Sequence, residues 1–492
     1  MTSADSAVLK LTSASCPSLD EIVSAALGES RVIVGSDLKE KTAEARRLYL
    51  KEAEARPLYG YCTGLGALQG EKAPCGPGYE DRILDEHAAG IGPWAPPWLV
   101  RGFLAIWLSQ ASRGGHPLRP LLVEQVEEAL AAGLIPLVPL YGSVGASGDL
   151  APSSHALRCI LRGRGEALLG GERLPCREAL ARVGLGPVDL EAGEALAAIN
   201  NTAWSTALAG AAVWSGLTLL ETGLRVAGYA LEAIGFNPEE FGLGAQAKLH
   251  EGQARVARKL GALRPRERPE RLQDPYSMRC IPQVYGASLE ALEWARGLVE
   301  REACSPTTNP VIAGGRAWHT CNFNTIYAGL AAEASALALV QVANITLYRI
   351  ERLLEARING VSDFLAAPGS SVGAMILQYT AASLAAEARS LMHPRLAEWI
   401  PTSLGHEDAN PMSPNAALRA LRVAWILSWL QAIEAVMASL IRARKGLPDP
   451  LGVNASLEDP SGSAARARRA IHSGRLLIIL DSLGQPRGAA VA

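Results

Sequence analysis

The tripeptide Ala146-Ser147-Gly148 combines three residue types that can build an electrophile from the chain itself. The Gly148 nitrogen belongs to a residue without a β-carbon, so it can close onto the Ala146 carbonyl carbon. Loss of two waters, one from ring closure and one from the Ser147 side chain, would leave an exocyclic methylene conjugated to the ring. Such a group is a strong electrophile that needs no added metal or vitamin.

Other interpretations of the segment Gly142 to Pro152 are less well supported. Its glycines approximate a phosphate-binding loop, but no β-branched strand precedes them and no Gly-Lys-Ser/Thr follows. The spacing Gly-Ala-Ser-Gly also differs from the Gly-x-Ser-x-Gly of a nucleophile elbow. A purely structural alternative is a tight turn in which Asp149 caps a helix from Leu150 to Arg162.

Through the Asp-Leu-Ala-Pro that follows Gly148, this segment resembles the signature of the aromatic amino-acid ammonia-lyase family. In that family the Ala-Ser-Gly forms a 4-methylideneimidazol-5-one (MIO) group autocatalytically. The resemblance covers most of the chain. It therefore implies a MIO cofactor formed from Ala146, Ser147 and Gly148, with no metal and no nucleotide.

Tyr59 opens a second segment that is similar to a family motif. Residues Tyr59 to Gly66 are similar to the family's Tyr-Gly-x-x-Thr-Gly-x-Gly loop, in which the Tyr is implicated in deprotonation. A free tyrosine has a pKa of about 10, so action as a base would require surroundings that favour the phenolate. Without its neighbouring glycines, Tyr59 would be interpreted as a packed loop aromatic.

Asn200 and Phe323 lie in two shorter matches. Ala198-Ile-Asn-Asn-Thr202 is similar to the family's Ile-Asn-Gly-Thr, whose Asn polarises the MIO carbonyl, although Asn201 replaces the Gly. Asn322-Phe323 resembles a Gly-Asn-Phe-His element whose Phe lines the MIO pocket. For Phe323 alone, plain core packing explains the residue as well.

Residues Gln273 to Cys280 are nearly identical to a family segment that carries a carboxylate-binding Arg and a Tyr close to the MIO. Arg279 suits the first role because a guanidinium fork binds a carboxylate bidentately and stays charged at any working pH. The resemblance implies that Gln273 and Tyr276 hold polar atoms around the electrophile. An ordinary surface ion pair is the structural alternative for Arg279.

Two positions bear on the substrate. In the family, the pair after Asp81 tends to be Phe-Leu in phenylalanine enzymes, His-Leu in tyrosine enzymes and Ser-His in histidine enzymes, and this chain has Glu86-His87. The imidazole of His87 could hydrogen-bond a substrate imidazole. Glu407 stands where the histidine branch has Gln-Glu-Asp, and its carboxylate could act as base or acid. Both positions favour the histidine branch.

Several residues near these motifs depart from the family pattern. Cys62 stands where the family usually has Asn, and Ile281 stands where Gln is common. Leu404-Gly405-His406 replaces the family's Ala-Asn-Gln, and Asn410 replaces the usual His. The catalytic set is kept while the lining of the site changes. The sequence therefore supports MIO-dependent chemistry more strongly than it supports histidine as the substrate.

The resulting prediction is an ammonia-lyase that converts an aromatic L-amino acid, foremost L-histidine, to its unsaturated acid, here trans-urocanate, with Tyr59 or Glu407 as the base. Three alternatives remain open. A 2,3-aminomutase would return the amine to the β-carbon, and a lyase could prefer phenylalanine, tyrosine or a modified aromatic. An inactive helical scaffold would keep the unmodified tripeptide.

Composition favours helices around these loops. Hydrophobic residues make up 49% of the chain and aromatics only 5%, and the apolar part is mostly Ala and Leu, which are good helix formers. We predict a mainly α fold, in which a loop-rich N-terminal region (1–202) carries the MIO and a long-helix bundle (203–492) supplies oligomeric contacts. Predicted helices include 37–54, 81–89, 98–112, 121–132, 203–234, 288–302, 326–357, 374–391 and 416–444.

Charge and cysteine usage limit the partners and the compartment. The formal net charge of -2 gives no field that would attract nucleic acid or an anionic membrane. Ala203 to Leu220 is apolar enough to consider as a membrane span, but a buried core helix is the preferred interpretation. The eight cysteines are scattered without a zinc-ligand pattern and are expected to be reduced thiols in the cytoplasm.

The N-terminal segment Met1 to Asp20 has no signal-peptide pattern, which agrees with a cytoplasmic location. The family resemblance further implies a homotetramer whose active sites draw residues from more than one subunit. A small-molecule amino acid, rather than nucleic acid or membrane, is the expected partner.

Overall fold

The computed structural model describes residues 7–263 and 271–483. Within these ranges the chain is mainly helical with a few short strands, which confirms the predicted fold class. Residues 1–6, which belong to the N-terminal segment analysed above for an export signal, lie outside the described residues.

The chain is divided into two compact units, each assembled from separate segments. The first unit comprises Met1–Ala211, Arg296–Ala332 and Pro394–Ala417, and the second comprises Ala212–Ala295, Glu333–His393 and Leu418–Ala492. The predicted division into the continuous regions 1–202 and 203–492 stays a prediction.

Short helices and small sheets build the first unit. Its helices are Leu19–Ala26, Ser36–Ala55, Pro77–His87, Pro97–Ala111, Pro120–Ala131, Leu150–Arg162, Cys176–Arg182 and Glu194–Ile199. Two strands, Ala7–Leu11 and Ser30–Val34, pair in parallel. Two further pairs are antiparallel, Ile91–Trp94 with Pro139–Tyr141 and Val311–Ala313 with Arg316–Trp318. In an antiparallel three-stranded sheet, Glu166–Leu169 lies between Ile135–Pro136 and Glu172–Pro175.

Four long helices have residues in both units, and the remaining helices belong to the second unit. The long helices are Ala203–Ile234, Ile281–Ala303, Ile326–Leu353 and Ser413–Arg444. Those of the second unit are Leu243–Gln246, Glu251–Gly261, Tyr276–Arg279, Ala356–Asn359, Met375–Ser390, Pro460–Ile471 and Gly474–Leu483.

Proline determines where several helices begin. Pro77, Pro97 and Pro120 are each the first residue of a helix, a position where the missing N–H has no intrahelical partner and the fixed φ is already helical. The same effect explains one error in the sequence-based bounds. The helix predicted to begin at Ser288 begins at Ile281, because Pro282 lies in its first turn, where proline is tolerated.

The helix Pro97–Ala111 forms the buried centre of the first unit. Almost all of its residues are buried, as expected for a helix that is apolar on every face. Its Trp107 is fully buried and donates its indole N–H to the carbonyl of Ala198 at 2.8 Å. This contact fixes the short helix that leads to Asn200.

Among the residues that the structure describes, three helices are long and apolar enough to cross a membrane by length and composition. They lie within Glu194–Ile234, Ile326–Leu353 and Ser413–Arg444, and 89%, 61% and 89% of their most apolar windows are buried inside the protein. The apolar stretch that begins at Ala203 is therefore covered by protein, as the core-helix interpretation expects.

The expectation that the cysteines are reduced thiols is wrong for six of the eight. Disulfides join Cys16 to Cys304, Cys62 to Cys75, and Cys159 to Cys176, with Cα–Cα distances of 5.4, 4.9 and 5.3 Å. Cys280 and Cys321 are free. Sequence spacing could not reveal the first pair, because its members lie 288 residues apart and only the fold brings them together.

Candidate active site

A cavity of about 720 Å³ in the first unit gathers most of the residues singled out from the sequence. These residues come from distant parts of the chain, and the fold brings them to one place. The predicted site residues that line the cavity are Tyr59, His87, Ala146, Ser147, Asn200, Phe323 and Glu407.

The backbone at Gly148 admits only glycine. Its φ is +77°, in the left-handed region, and a β-carbon here would lie 2.5 Å from the carbonyl oxygen of Asn201. The same Asn201 oxygen accepts a hydrogen bond from the N–H of Asp149 at 2.7 Å. The tripeptide is thus pressed against the segment that carries Asn200.

Asp149 has a different role from the helix cap considered above. The helix Leu150–Arg162 has the predicted bounds and Asp149 holds its N-cap position, but the carboxylate makes no hydrogen bond to that helix. It accepts instead from the Ser205 N–H at 2.8 Å, the Ser205 hydroxyl at 2.7 Å and the Ser143 hydroxyl at 2.7 Å. Burial raises the pKa of Asp149 to about 6. The carboxyl therefore ties the tripeptide loop to the start of the helix Ala203–Ile234.

Asn200 is directed at the carbonyl that a MIO ring would retain. Its Nδ2 donates to the Ser147 carbonyl oxygen at 2.7 Å, and its Oδ1 accepts from the Asn309 N–H at 2.7 Å. Only 3% of Asn200 is exposed. Ring closure would join the Gly148 nitrogen to the Ala146 carbonyl carbon, so the Ser147 carbonyl would remain a carbonyl. The hydrogen bond from Asn200 to this oxygen and the backbone geometry at Gly148, which admits only glycine, both fit a MIO group.

Glu407 faces the serine of the tripeptide. The Ser147 hydroxyl donates to Glu407 Oε1, and the Thr402 hydroxyl donates to Oε2 at 2.5 Å. Backbone hydrogen bonds of 3.0 and 3.2 Å also pair Thr402 with Glu407. The carboxylate is thus held beside the side chain whose loss would create the methylene.

Tyr59 is held in a form that opposes its action as a base. Its hydroxyl oxygen accepts from the Gly66 N–H at 2.8 Å, and its backbone N–H donates to His319 Nε2 at 3.1 Å. Burial raises the pKa of Tyr59, and the Glu407 carboxylate adds to this rise against the opposing effect of the Gly66 N–H. The phenol is therefore protonated at neutral pH.

His87 presents one ring nitrogen to the cavity. It is the last residue of the helix Pro77–His87, and its Nδ1 is 2.7 Å from the carbonyl oxygen of Ile83. Since a carbonyl can only accept, Nδ1 carries the proton in the neutral ring and Nε2 keeps its lone pair. His87 can then accept a hydrogen bond from a ligand N–H.

Several lining residues had no predicted role. Asn309, His319 and His406 face the same cavity, as do Gln69 and the free thiol of Cys321. Gln69, Asn309 and His319 lie in segments recognised from the sequence only as loops, and their local spacing did not indicate a site. His406 and Cys321 are adjacent to the segments of Glu407 and Phe323, which were matched to the family, but neither was given a role.

Gln273, Tyr276 and Arg279 belong to the second unit, so their predicted contacts with substrate stay predictions. Tyr276 is 71% exposed, and the guanidinium carbon of Arg279 lies 4.7 Å from the centre of its ring. Arg349 supports this turn by donating to the Ser277 carbonyl at 3.4 Å.

Arg349 is itself held in place by a buried fork to Glu434, with nitrogen–oxygen distances of 2.7 and 2.9 Å. Glu434 is fully buried and Arg349 is 1% exposed. The segment that carries Arg279 is therefore rigidly supported from within its own unit.

Comparison with known proteins relates the chain to a single family. The profile of the family described as aromatic amino acid lyase matches residues 18–451. Histidine ammonia-lyase from Symbiobacterium thermophilum is 37% identical over 440 residues, which cover 86% of this chain and 85% of that relative.

Solved structures give the same relationship. Histidine ammonia-lyase from Trypanosoma cruzi matches with a TM-score of 0.86 and 25% identity, covering 96% of this chain and 95% of that structure. Tyrosine aminomutase from Streptomyces globisporus matches with a TM-score of 0.87 and 25% identity, covering 97% of this chain and 99% of that structure.

Proposed function

Because this chain belongs to the aromatic amino acid lyase family, we propose that it eliminates ammonia from L-histidine to give trans-urocanate. The family predicted from the sequence is confirmed, and the chain is a carbon–nitrogen lyase. The observation that carries the proposal is the convergence of Asn200 and Glu407 on Ser147, with His87 lining the same cavity.

The proposed cofactor is the MIO group, formed from Ala146, Ser147 and Gly148. Once formed, this group would supply an electrophilic methylene carbon that activates the substrate amine for elimination. Asn200 would hold the ring carbonyl, since its Nδ2 already donates to the Ser147 oxygen at 2.7 Å. A preorganised donor of this kind stabilises charge that develops on the oxygen during the reaction.

The remaining steps are assigned to side chains of this chain. Arg279 would bind the substrate carboxylate bidentately, and the exposed Tyr276 and Gln273 would lie beside the electrophile. The raised pKa of Tyr59 favours Glu407 over Tyr59 as the base that removes the weakly acidic β-proton. Tyr59 would then serve as a hydrogen-bond donor to the substrate.

The choice of histidine rests on His87 and Glu407. His87 Nε2 can accept from an imidazole N–H, because its Nδ1 is already engaged by Ile83. A carboxylate such as Glu407 suits an imidazole or an amine, whereas a phenyl ring would leave both groups without partners. The curated relative named above is a histidine enzyme, which agrees with this assignment.

We further propose a cytoplasmic homotetramer, in which the three disulfides are an exception to the reduced thiols usual in that compartment. The family resemblance implies active sites shared between subunits, and the high exposure of Tyr276 in one isolated chain agrees with a residue that is covered on assembly. Light scattering of the purified protein tests this point. A monomeric and fully active enzyme would contradict it.

The test of the function is incubation with L-histidine while ultraviolet absorbance, ammonia release and product mass are followed. We expect urocanate and an equal amount of ammonia. A panel with phenylalanine and tyrosine measures selectivity as kcat/KM. Faster turnover of either would move the assignment to another aromatic substrate.

The alternative reaction is a 2,3-aminomutation. Two observations support this alternative, namely the structural match to a tyrosine aminomutase and the altered lining around Leu404. Product analysis separates the two reactions, since β-histidine without free ammonia would identify a mutase. An intact mass without the loss of two waters would instead support the inactive scaffold.

A further inference from the structure

The orientation of the Asn200 amide is set by a segment outside the predicted site. Asn200 Oδ1 accepts from the backbone N–H of Asn309 at 2.7 Å, and Thr308 Oγ1 lies 3.5 Å from the same oxygen. A backbone N–H can only donate, so this contact fixes Oδ1 on that side and turns Nδ2 toward the Ser147 carbonyl. The direction of the amide therefore depends on the position of residues 307–309.

His116 joins that segment to the short helix Glu194–Ile199, which directly precedes Asn200. Its Nδ1 donates to the Ala197 carbonyl at 2.9 Å, three residues before Asn200, and its Nε2 accepts from the Thr307 N–H at 3.2 Å. Both contacts require a neutral ring with the proton on Nδ1. Complete burial lowers the pKa of His116 to about 4, so the ring is neutral at neutral pH.

Gln110 makes a second link between the same two segments. Its Nε2 donates to the Thr202 hydroxyl at 2.9 Å and to the Glu302 carbonyl at 3.0 Å. Its Oε1 accepts from the Thr307 hydroxyl at 3.0 Å. Thr307 is thus held by its backbone through His116 and by its side chain through Gln110, and all of these groups are fully buried or nearly so.

We propose that His116 and Gln110 are positioning residues for the lyase reaction, which hold residues 307–309 so that the Asn200 amide faces the Ser147 carbonyl. The inference rests on the proposed function. The hydrogen bonds of both residues go to segments other than the tripeptide, so both act through Asn200. Loss of either link frees the Asn309 N–H to move and lets the Asn200 amide rotate.

Two substitutions of His116 separate its two hydrogen bonds. His116→Asn keeps a donor near the Nδ1 position for Ala197 but cannot reach Thr307, whereas His116→Gln places an amide oxygen near the Nε2 position. We expect kcat to fall about tenfold in His116→Asn, less than the roughly 10²- to 10³-fold loss typical of deleting a preorganised donor itself. KM should be unchanged, and His116→Gln should retain nearly full kcat.

A third variant covers the case in which His116→Asn does not fold. Thr307→Val keeps the backbone N–H and the side-chain shape but removes the hydroxyl that binds Gln110, and it should also lower kcat with little change in KM. The matched control is His472→Asn in the second unit. His472 is also a buried histidine, with Nε2 3.2 Å from the Ser428 carbonyl, so this variant should lose stability but keep its kcat.

A double-mutant cycle distinguishes positioning from general structural support. In an Asn200→Ala background, His116→Asn should cause no further loss of kcat, because the group through which it acts is gone. Multiplicative losses in the double variant would overturn the proposal. So would equal kcat values for His116→Asn and the wild type.

A crystal structure of His116→Asn gives a readout that does not depend on turnover. We expect the Asn200 Nδ2 to leave hydrogen-bond distance of the Ser147 oxygen, and an unchanged contact would overturn the proposal. A wild-type protein that turns over no aromatic amino acid would refute the proposed function instead. The two failures are therefore distinguishable.

Discussion

The cavity has two sides that are built in opposite ways. We call the segments 142–149 and 200–202 the floor, and the segments 59–69 and 402–407 the loop wall. In the floor, Asp149 is 0% and Asn200 3% exposed, and their polar groups are paired. In the loop wall, Leu68 is 63% and Leu404 97% exposed.

Some departures from the family pattern follow the same division, whereas Ile281 and Asn410, which are fully buried, lie outside both the floor and the loop wall. The floor keeps the family motif apart from Asn201, whereas Cys62 and the run Leu404-Gly405-His406 lie in the loop wall. A change in the floor would leave a buried polar group without a partner, which costs about 1–3 kcal/mol. An exposed loop residue carries no such penalty. The floor is therefore suited to fixed chemistry, whereas the loop wall, apart from Tyr59 and Glu407, is suited to a variable choice of substrate.

The largest expected effect comes from removing the serine of the floor. Ser147→Ala should reduce turnover below detection and abolish the loss of two waters, because the methylene has no source. Intact mass and urocanate formation measure both effects, and circular dichroism should show unchanged helicity. Ser403→Ala, in the loop wall, is the control and should keep the dehydration. Persistent turnover in Ser147→Ala would refute the assignment of the electrophile.

The next effect concerns substrate choice. His87→Phe removes the acceptor for an imidazole N–H, and loss of one such buried hydrogen bond, worth about 1–3 kcal/mol, should lower kcat/KM for histidine about 10- to 100-fold. The kcat/KM for phenylalanine should rise relative to the kcat/KM for histidine. The control is His406→Phe, an exposed histidine of the loop wall, for which we expect a smaller change. Equal losses in both variants would contradict the role of His87.

The sequence predicted the parts of this molecule whose signals are local. The helix Leu150–Arg162 has the bounds that its pattern predicts, since Gly163 ends it with a φ of +66°. The floor could be found because Ala146, Ser147 and Gly148 are adjacent in the chain. Each of these features is encoded within a few residues.

Features that depend on distant residues could not be predicted. The N–H that orients Asn200 comes from Asn309, and the disulfide of Cys16 ends at Cys304. The hydrogen-bond partners of the Asp149 side chain were missed for the same reason, since its main partner is Ser205 in another helix. Such contacts arise only when the fold brings separate segments together.

A smaller effect is expected in the pH dependence of stability. Burial lowers the pKa of His116 from 6.5 to about 4, so between these values the unfolded chain binds a proton that the folded chain does not. The stabilisation from His116 is complete above pH 6.5 and is lost as the pH falls through 4. The difference in free energy of unfolding between wild type and His116→Gln should shrink by up to about 1.4 kcal/mol per pH unit in this window.

Urea unfolding at several pH values measures this difference directly. The buried carboxyls of Asp149 and Glu302, whose pKa values burial raises to about 6 and about 7, act in the opposite direction but are present in both proteins. The control is Thr307→Val, which removes a hydrogen bond of the same network but no titratable group, so its difference from the wild type should not vary with pH. A pH-independent difference for His116→Gln would contradict a neutral buried ring.

The smallest expected effect lies in the loop wall and has the opposite sign. Leu404 has a φ of +56°, in the left-handed region, which costs a residue with a β-carbon roughly 1–2 kcal/mol but suits asparagine better. Because its side chain is almost fully exposed, Leu404→Asn gives up little apolar burial. We expect the free energy of unfolding to rise by up to about 1 kcal/mol, as measured by urea unfolding, with kcat unchanged.

The counterpart in the floor is Gly148→Ala. There the backbone also has a positive φ, but the added β-carbon would lie 2.5 Å from the Asn201 oxygen, so this variant should be destabilised and should fail to dehydrate. If Leu404→Asn lost stability or activity as Gly148→Ala is expected to, the loop wall would be as constrained as the floor. The division between fixed chemistry and variable selectivity would then fail, because both sides of the cavity would tolerate only their present residues.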